Sequence, residues 1–168
     1  ALGLYPTDLL KMKDEEITKE LSFIKKNIKN IIALSEVGLD LLRTKRLNKQ
    51  KKVFGKFISI SEKYSLPLII HSRKAEKEVV ETLESSTAKR VILHCFSGSK
   101  NLIKKAEENN FFFSIPAIVN FSKHFQFLVE RVSLKNILTE TDSPYLSPIR
   151  GKRNEPFLVE KSLKKISE

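Results

Sequence analysis

Ile137-Leu138-Thr139-Glu140-Thr141-Asp142-Ser143-Pro144-Tyr145 is a short apolar run that brings one carboxylate to an abrupt stop. Pro144 has no N–H for a strand ladder and biases Ser143 away from helix, so the stretch predicts a strand over 137–142 that ends as Asp142 emerges. Three earlier stretches have the same form. Residues 31–36 (Ile-Ile-Ala-Leu-Ser-Glu), 66–71 (Leu-Pro-Leu-Ile-Ile-His) and 91–94 (Val-Ile-Leu-His) each carry apolar residues into one side chain able to hold a metal ion.

Between these strands the apolar positions fall at helical spacing. Ile17, Leu21, Ile24 and Ile28 predict a helix over 13–28, and Val53, Phe54, Phe57, Ile58 and Ile60 predict another over 47–64, opposite Lys51, Lys52 and Lys56. Further helices are expected around Ala75, Val79, Val80 and Leu83, over 101–109, over 121–132 and over 156–166. A fifth strand is expected over 111–115, stopped by Pro116, and Gly38 permits the tight turn between Glu36 and Asp40. Strands that are apolar throughout and alternate with helices predict an α/β fold with a parallel sheet. A doubly wound sheet gathers ligands at one switch point, whereas a barrel brings many strand ends to one centre. Four ligand-bearing strand ends favour a TIM-like (β/α) barrel, read as a single hydrolase domain over 1–168. Such a barrel takes about 250 residues. Five strands, with Ala1-Leu2-Gly3-Leu4 read as the tail of another, predict an N-terminally incomplete barrel with about two strands missing.

Composition narrows the chemistry. The chain has 31 Lys and Arg against 20 Asp and Glu, a formal charge of +11, which attracts polyanions such as DNA, although lysines on polar helix faces also serve solubility. No apolar run approaches the roughly 18–20 residues that span a bilayer, so no membrane partner is expected and cytoplasm is the default location. One cysteine, Cys95, allows no internal disulfide.

Glu36, His71, His94 and Asp142 are 35, 23 and 48 residues apart, which matches no local ligand motif and makes sense only if successive strands bring them together. Two imidazoles with two carboxylates suit Zn, Mn, Fe or Mg. Each taken singly has a plainer reading, the histidines as core or loop residues and the acids as caps or ion-pair partners.

The strings Ser-Glu-Val-Gly-Leu-Asp at 35–40, Leu-Pro-Leu-Ile-Ile-His-Ser-Arg-Lys-Ala at 66–75, His-Cys-Phe-Ser-Gly-Ser at 94–99, Thr-Glu-Thr-Asp-Ser-Pro-Tyr-Leu at 139–146 and Arg-Asn-Glu-Pro at 153–156 closely resemble the TatD family of metal-dependent deoxyribonucleases, in the amidohydrolase superfamily. The resemblance implies a (β/α) barrel with one or two divalent ions (Mg, Mn or Zn) held by Glu36, His71, His94 and Asp142. Glu36 would bridge the ions, and Asp142 would position or deprotonate the attacking water. Arg73 would clamp phosphate, with Ser97 and Ser99 donating to it; the plainer readings are a surface ion pair for Arg73 and turn-shaping for the serines. Tyr145, Asn154 and Glu155 also sit in family strings, the last two read as tying the final loop to the barrel rim. Cys95 is expected to be a buried small hydrophobe pointing away from the metal. The family's opening His-x-His pair has no counterpart in 1–168, and Tyr5 stands where the family usually has His. The implied function is hydrolysis of DNA phosphodiesters. The alternatives are hydrolysis of another ester or amide, or an inactive remnant that still binds metal or nucleic acid. A second copy of the chain covering the open barrel edge is a further expected partner.

Overall fold

In the computed structural model, which describes residues 1–42, 44 and 46–168, the chain falls into two compact units, Ala1–His94 and Cys95–Glu168. The first holds three parallel strands, β1 (Leu34–Gly38), β2 (Leu68–His71) and β3 (Val91–His94), paired in the order β1-β2-β3. Helices α1 (Asp14–Lys26), α2 (Leu47–Tyr64) and α3 (Glu76–Glu84) alternate with them.

Each helix follows from its local sequence. Asp14, Glu15 and Glu16 fill the first turn of α1 and Lys25 and Lys26 its last, complementing the helix dipole, while Ile17, Leu21 and Ile24 form its buried face. The Glu16 carboxylate also accepts the Lys13 N–H at 2.6 Å. Helix α2 buries Val53, Phe54, Phe57, Ile58 and Ile60 and stops at Ser65, which is left-handed (φ 53°) and returns its N–H to the Ser61 carbonyl. Two residues later Pro67 leads into β2, and its carbonyl takes the Leu34 N–H at 2.8 Å.

Alternation along the strands sorts the side chains. Leu68 and Ile70 of β2 and Val91 and Leu93 of β3 are fully buried on one face, so His71 and His94 emerge on the other. The register runs Leu68–Val91, Ile69–Ile92, Ile70–Leu93, which brings the two terminal histidines to the same level.

Strand β1 departs from the expected 31–36. It begins at Leu34 and runs on to Gly38, so Glu36 lies inside the strand and not at its end. Residues Ile28–Asn30 form a 3₁₀ turn and Ile32 is 82% exposed, so the first apolar residues of the run stay outside the ladder. Pairing also continues beyond the acid: Leu39 N–H donates to the His71 carbonyl (3.0 Å) and Leu41 N–H to the Arg73 carbonyl (2.9 Å). Leu34 opposes Leu68 and Val37 opposes Ile70, so Ser35 and Glu36 together face the single residue Ile69. That is a β-bulge, which bends the strand and re-aims the side chain it carries. The strand tail expected near Leu4 is reduced to one parallel bridge, Leu2 to Leu34, beside β1.

The second unit contains α4 (Lys100–Glu108), β4 (Phe112–Ile115), α5 (Lys123–Arg131), β5 (Ile137–Thr139) and α6 (Val159–Ser167). Strands β4 and β5 are parallel, pairing Phe113 with Ile137 and Ile115 with Thr139. Strand β5 is shorter than the expected 137–142. The Glu140 N–H still reaches the Ile115 carbonyl (3.1 Å), but Asp142 is left-handed (φ 59°) and cannot extend a ladder. Phe96 and Phe113, ring centroids 5.8 Å apart, join Ile115 and Leu128 in this unit's core. The α/β class with parallel strands is as expected from the sequence. Among the described residues no helix is long and apolar enough to cross a membrane.

Gly38 has φ +134°, and a Cβ there would lie 2.1 Å from the His71 carbonyl oxygen. Gly38→Ala should therefore lower unfolding stability by about 2–4 kcal/mol in urea titrations. Gly55 in α2 has nothing within 4 Å of the same position, so Gly55→Ala should raise stability by about 0.5–1 kcal/mol.

Candidate metal centre

Parallel strands place their C-terminal ends on one side, and in the first unit that side carries Glu36, His71 and His94. The Glu36 carboxylate turns one oxygen to each imidazole: Oε2 is 3.6 Å from His71 Nδ1 and Oε1 is 3.8 Å from His94 Nε2. The bulge in β1 is what aims Glu36, since regular pleating would alternate it strictly with its neighbours. The two histidine side chains are 12% and 15% exposed and Glu36 32%, so the group is sheltered yet reachable from solvent.

Two donors that each sit about 2.0–2.2 Å from one ion, at tetrahedral or octahedral angles, lie roughly 3.0–3.5 Å from each other. The observed separations exceed that range by a few tenths of an ångström and are too long for hydrogen bonds. Among the described residues no three His, Cys, Asp or Glu side chains form a metal-holding group. Glu36 instead presents a separate oxygen to each ring. In donor chemistry, a carboxylate with two imidazoles fits a divalent ion.

Behind His71 lies Asp40, which the sequence marks only by its place in the 35–40 string. Asp40 is almost fully buried, and its Oδ2 is 3.0 Å from His71 Nε2, while its Oδ1 accepts the Leu42 N–H at 2.9 Å. The main chain of Asp40 is held by Gln50 of α2. Gln50 Oε1 accepts the Asp40 N–H (2.7 Å) and its Nε2 donates to the Asp40 carbonyl (2.9 Å). A polar residue inside the apolar stripe of α2 was the available signal, because a fully buried Gln needs partners of its own. Tyr5, which stands where the family usually has His, also reaches His71. Its ring meets the His71 ring edge-on with centroids 4.8 Å apart, and its hydroxyl is 3.4 Å from Nε2.

Arg73 is exposed two residues beyond His71, at the end of β2. Asp142, Ser97 and Ser99 belong to the second unit. Asp142 sits three residues past β5 and accepts the Tyr145 N–H at 2.8 Å through its carbonyl, closing a turn around Ser143 and Pro144. Ser97 and Ser99 are exposed; Ser97 Oγ donates to the Cys95 carbonyl at 3.4 Å, and Ser99 precedes the first turn of α4 without a side-chain capping bond. Cys95 is half-buried and left-handed (φ 43°), not the buried hydrophobe expected, because the chain turns out of β3 at that residue and strand alternation no longer applies.

Buried Asn154 fixes the loop that carries Asp142. Its Nδ2 donates to the carbonyls of Thr141 (2.5 Å) and Tyr145 (2.6 Å), its N–H donates to the Pro144 carbonyl (3.1 Å), and its Oδ1 accepts the Glu155 N–H (3.0 Å). Asn154→Ala should cost about 1–3 kcal/mol and speed hydrogen exchange at the Tyr145 amide, measured by mass spectrometry or NMR.

Comparison with known proteins gives the family and the fold. A family model described as TatD related DNase matches residues 1–168. The chain is 35% identical to an uncharacterized metal-dependent hydrolase, MJ1582, of Methanocaldococcus jannaschii, over 99% of this chain and 66% of that protein. It is 30% identical to the human deoxyribonuclease TATDN3, over 99% of this chain and 62% of that protein. The crystal structure of YJJV, a TatD homolog from Escherichia coli K12, superposes with a TM-score of 0.87 at 22% identity, covering 99% of this chain and 66% of that one. That likeness gives the fold, the TIM-like α/β class expected from the strand and helix order. The chain thus spans about two-thirds of the length of the curated relatives it matches.

Proposed function

This chain belongs to the TatD related DNase family, and from that membership we propose that it is a metal-dependent hydrolase of DNA phosphodiesters. The observation that carries the reading is the Glu36 carboxylate turning one oxygen to each of two strand-end imidazoles. The net charge of +11 supports a polyanionic substrate.

His71 and His94 would hold a divalent ion through ring nitrogens and Glu36 through its two oxygens, with Mg, Mn and Zn as candidates. Such an ion lowers the pKa of bound water and stabilises charge on the phosphodiester oxygens. The family resemblance gives Asp142 the task of accepting the water's proton as its oxygen attacks phosphorus and the P–O bond to the leaving sugar oxygen breaks. Arg73, exposed beside the β2 terminus, is suited to pair with a non-bridging phosphate oxygen, and Ser97 and Ser99 to donate to others.

The direct test is digestion of single-stranded DNA with Mg or Mn added. Cleavage should stop with a chelator and fall at least about 100-fold in Glu36→Gln, His94→Ala or Asp142→Ala. Chelator-resistant cleavage, or undiminished cleavage by the variants, would overturn the reading. A second reading, hydrolysis of a different ester or an amide, is favoured by one observation: MJ1582 is named only as a metal-dependent hydrolase. A panel of carboxylic ester, lactone, amide and phosphodiester substrates separates the two.

A further inference from the structure

We propose that Asp40 is a positioning residue: by accepting the hydrogen on His71 Nε2, it fixes the tautomer that leaves His71 Nδ1 as the metal-facing lone pair. The proposal deepens the metal-hydrolase reading and rests on it for the role of Nδ1, though the tautomer itself does not depend on a metal.

Three distances decide the assignment. His71 Nε2 is 3.0 Å from Asp40 Oδ2, within hydrogen-bond range, and 3.4 Å from the Tyr5 hydroxyl, at its edge; Nδ1 is 3.6 Å from Glu36, beyond it. A carboxylate can only accept, so the ring nitrogen facing Asp40 must carry hydrogen. Asp40 has no freedom to offer anything else. Its other oxygen is taken by the Leu42 N–H at 2.9 Å, and its N–H and carbonyl are both gripped by the fully buried Gln50. A histidine that binds a metal through one nitrogen and donates from the other to a carboxylate is held in ring plane and tautomer together.

The isosteric change Asp40→Asn exposes this logic. If the amide oxygen keeps the Leu42 N–H, the amide nitrogen must face His71 Nε2, and donor would meet donor unless the ring hydrogen moves to Nδ1. If the amide is flipped, its nitrogen meets the Leu42 N–H instead. The first arrangement is the expected one, because it keeps the 2.9 Å bond from the Leu42 N–H and leaves no two donors facing each other.

The experiment is NMR of the histidine-¹⁵N-labelled chain at a pH above the usual imidazole range. His71 is assigned by the signal lost in His71→Gln, and Zn affinity is measured by calorimetry. In the unsubstituted protein Nε2 should show the one-bond N–H splitting, and Zn should perturb Nδ1. Asp40→Asn should move the hydrogen to Nδ1 and weaken Zn binding about 10–100-fold, with an unchanged far-ultraviolet circular dichroism spectrum. A bare Nε2 in the unsubstituted protein overturns the proposal, and so does Asp40→Asn with the hydrogen still on Nε2 and Zn affinity within about twofold. Failure of the unsubstituted protein to bind Zn, Mn or Mg would count against the metal-hydrolase reading, and the placement of the His71 hydrogen would still decide the role of Asp40.

Discussion

The contact between Gly38 and His71 is the constraint on which the first unit's site depends. Strands β1 and β2 must approach closely enough for the Leu39 N–H to reach the His71 carbonyl, and only a residue without Cβ fits there at φ +134°. That approach fixes the register at the strand ends. One extra residue on β1, upstream of Gly38, then turns the Glu36 carboxylate towards both imidazoles. Without the close approach, neither the bulge nor the histidine pair would have a fixed reference.

Much of this was legible in the sequence, and the limits are physical. Strand β3 and helix α2 appear where periodicity put them, because both are bounded by unambiguous turn chemistry, Pro67 and Ser65 after α2 and the Ser85-Ser86-Thr87 break before β3. Strand β1 starts three residues later than its apolar run predicts. Ile31 and Ile32 look like strand residues by composition, but pairing is decided by what Leu34 meets across the ladder, and the apolar run has no internal mark for that. Strand β5 is shorter than its sequence predicts for a related reason: Asp142 does leave the apolar run, but through a left-handed turn and not on a strand end.

The candidate site divides along the same line. Three of the four candidate ligands, Glu36, His71 and His94, could be picked out because each follows an apolar run, and the structure brings Glu36 close to both His71 and His94. Asp40, Gln50 and Tyr5 carry no such mark. Their part depends on side-chain reach across the fold, 31 residues for the Asp40 to His71 pair and 66 for Tyr5 to His71, and no local pattern encodes such pairs. Asn154 ties the final loop together. Its bonds to the carbonyls of Thr141, Pro144 and Tyr145 show how one amide side chain and its own N–H can hold a segment with little regular structure.

The fork between Gln50 and the main chain of Asp40 joins two motions that would otherwise be separate. Gln50 lies in the first turn of α2, where a helix ordinarily frays, yet its amide closes both polar groups of the residue that backs His71. Fraying of that turn and release of the Asp40 main chain are therefore coupled. The Asp40 amide thereby takes its protection from solvent from the helix to which it is latched.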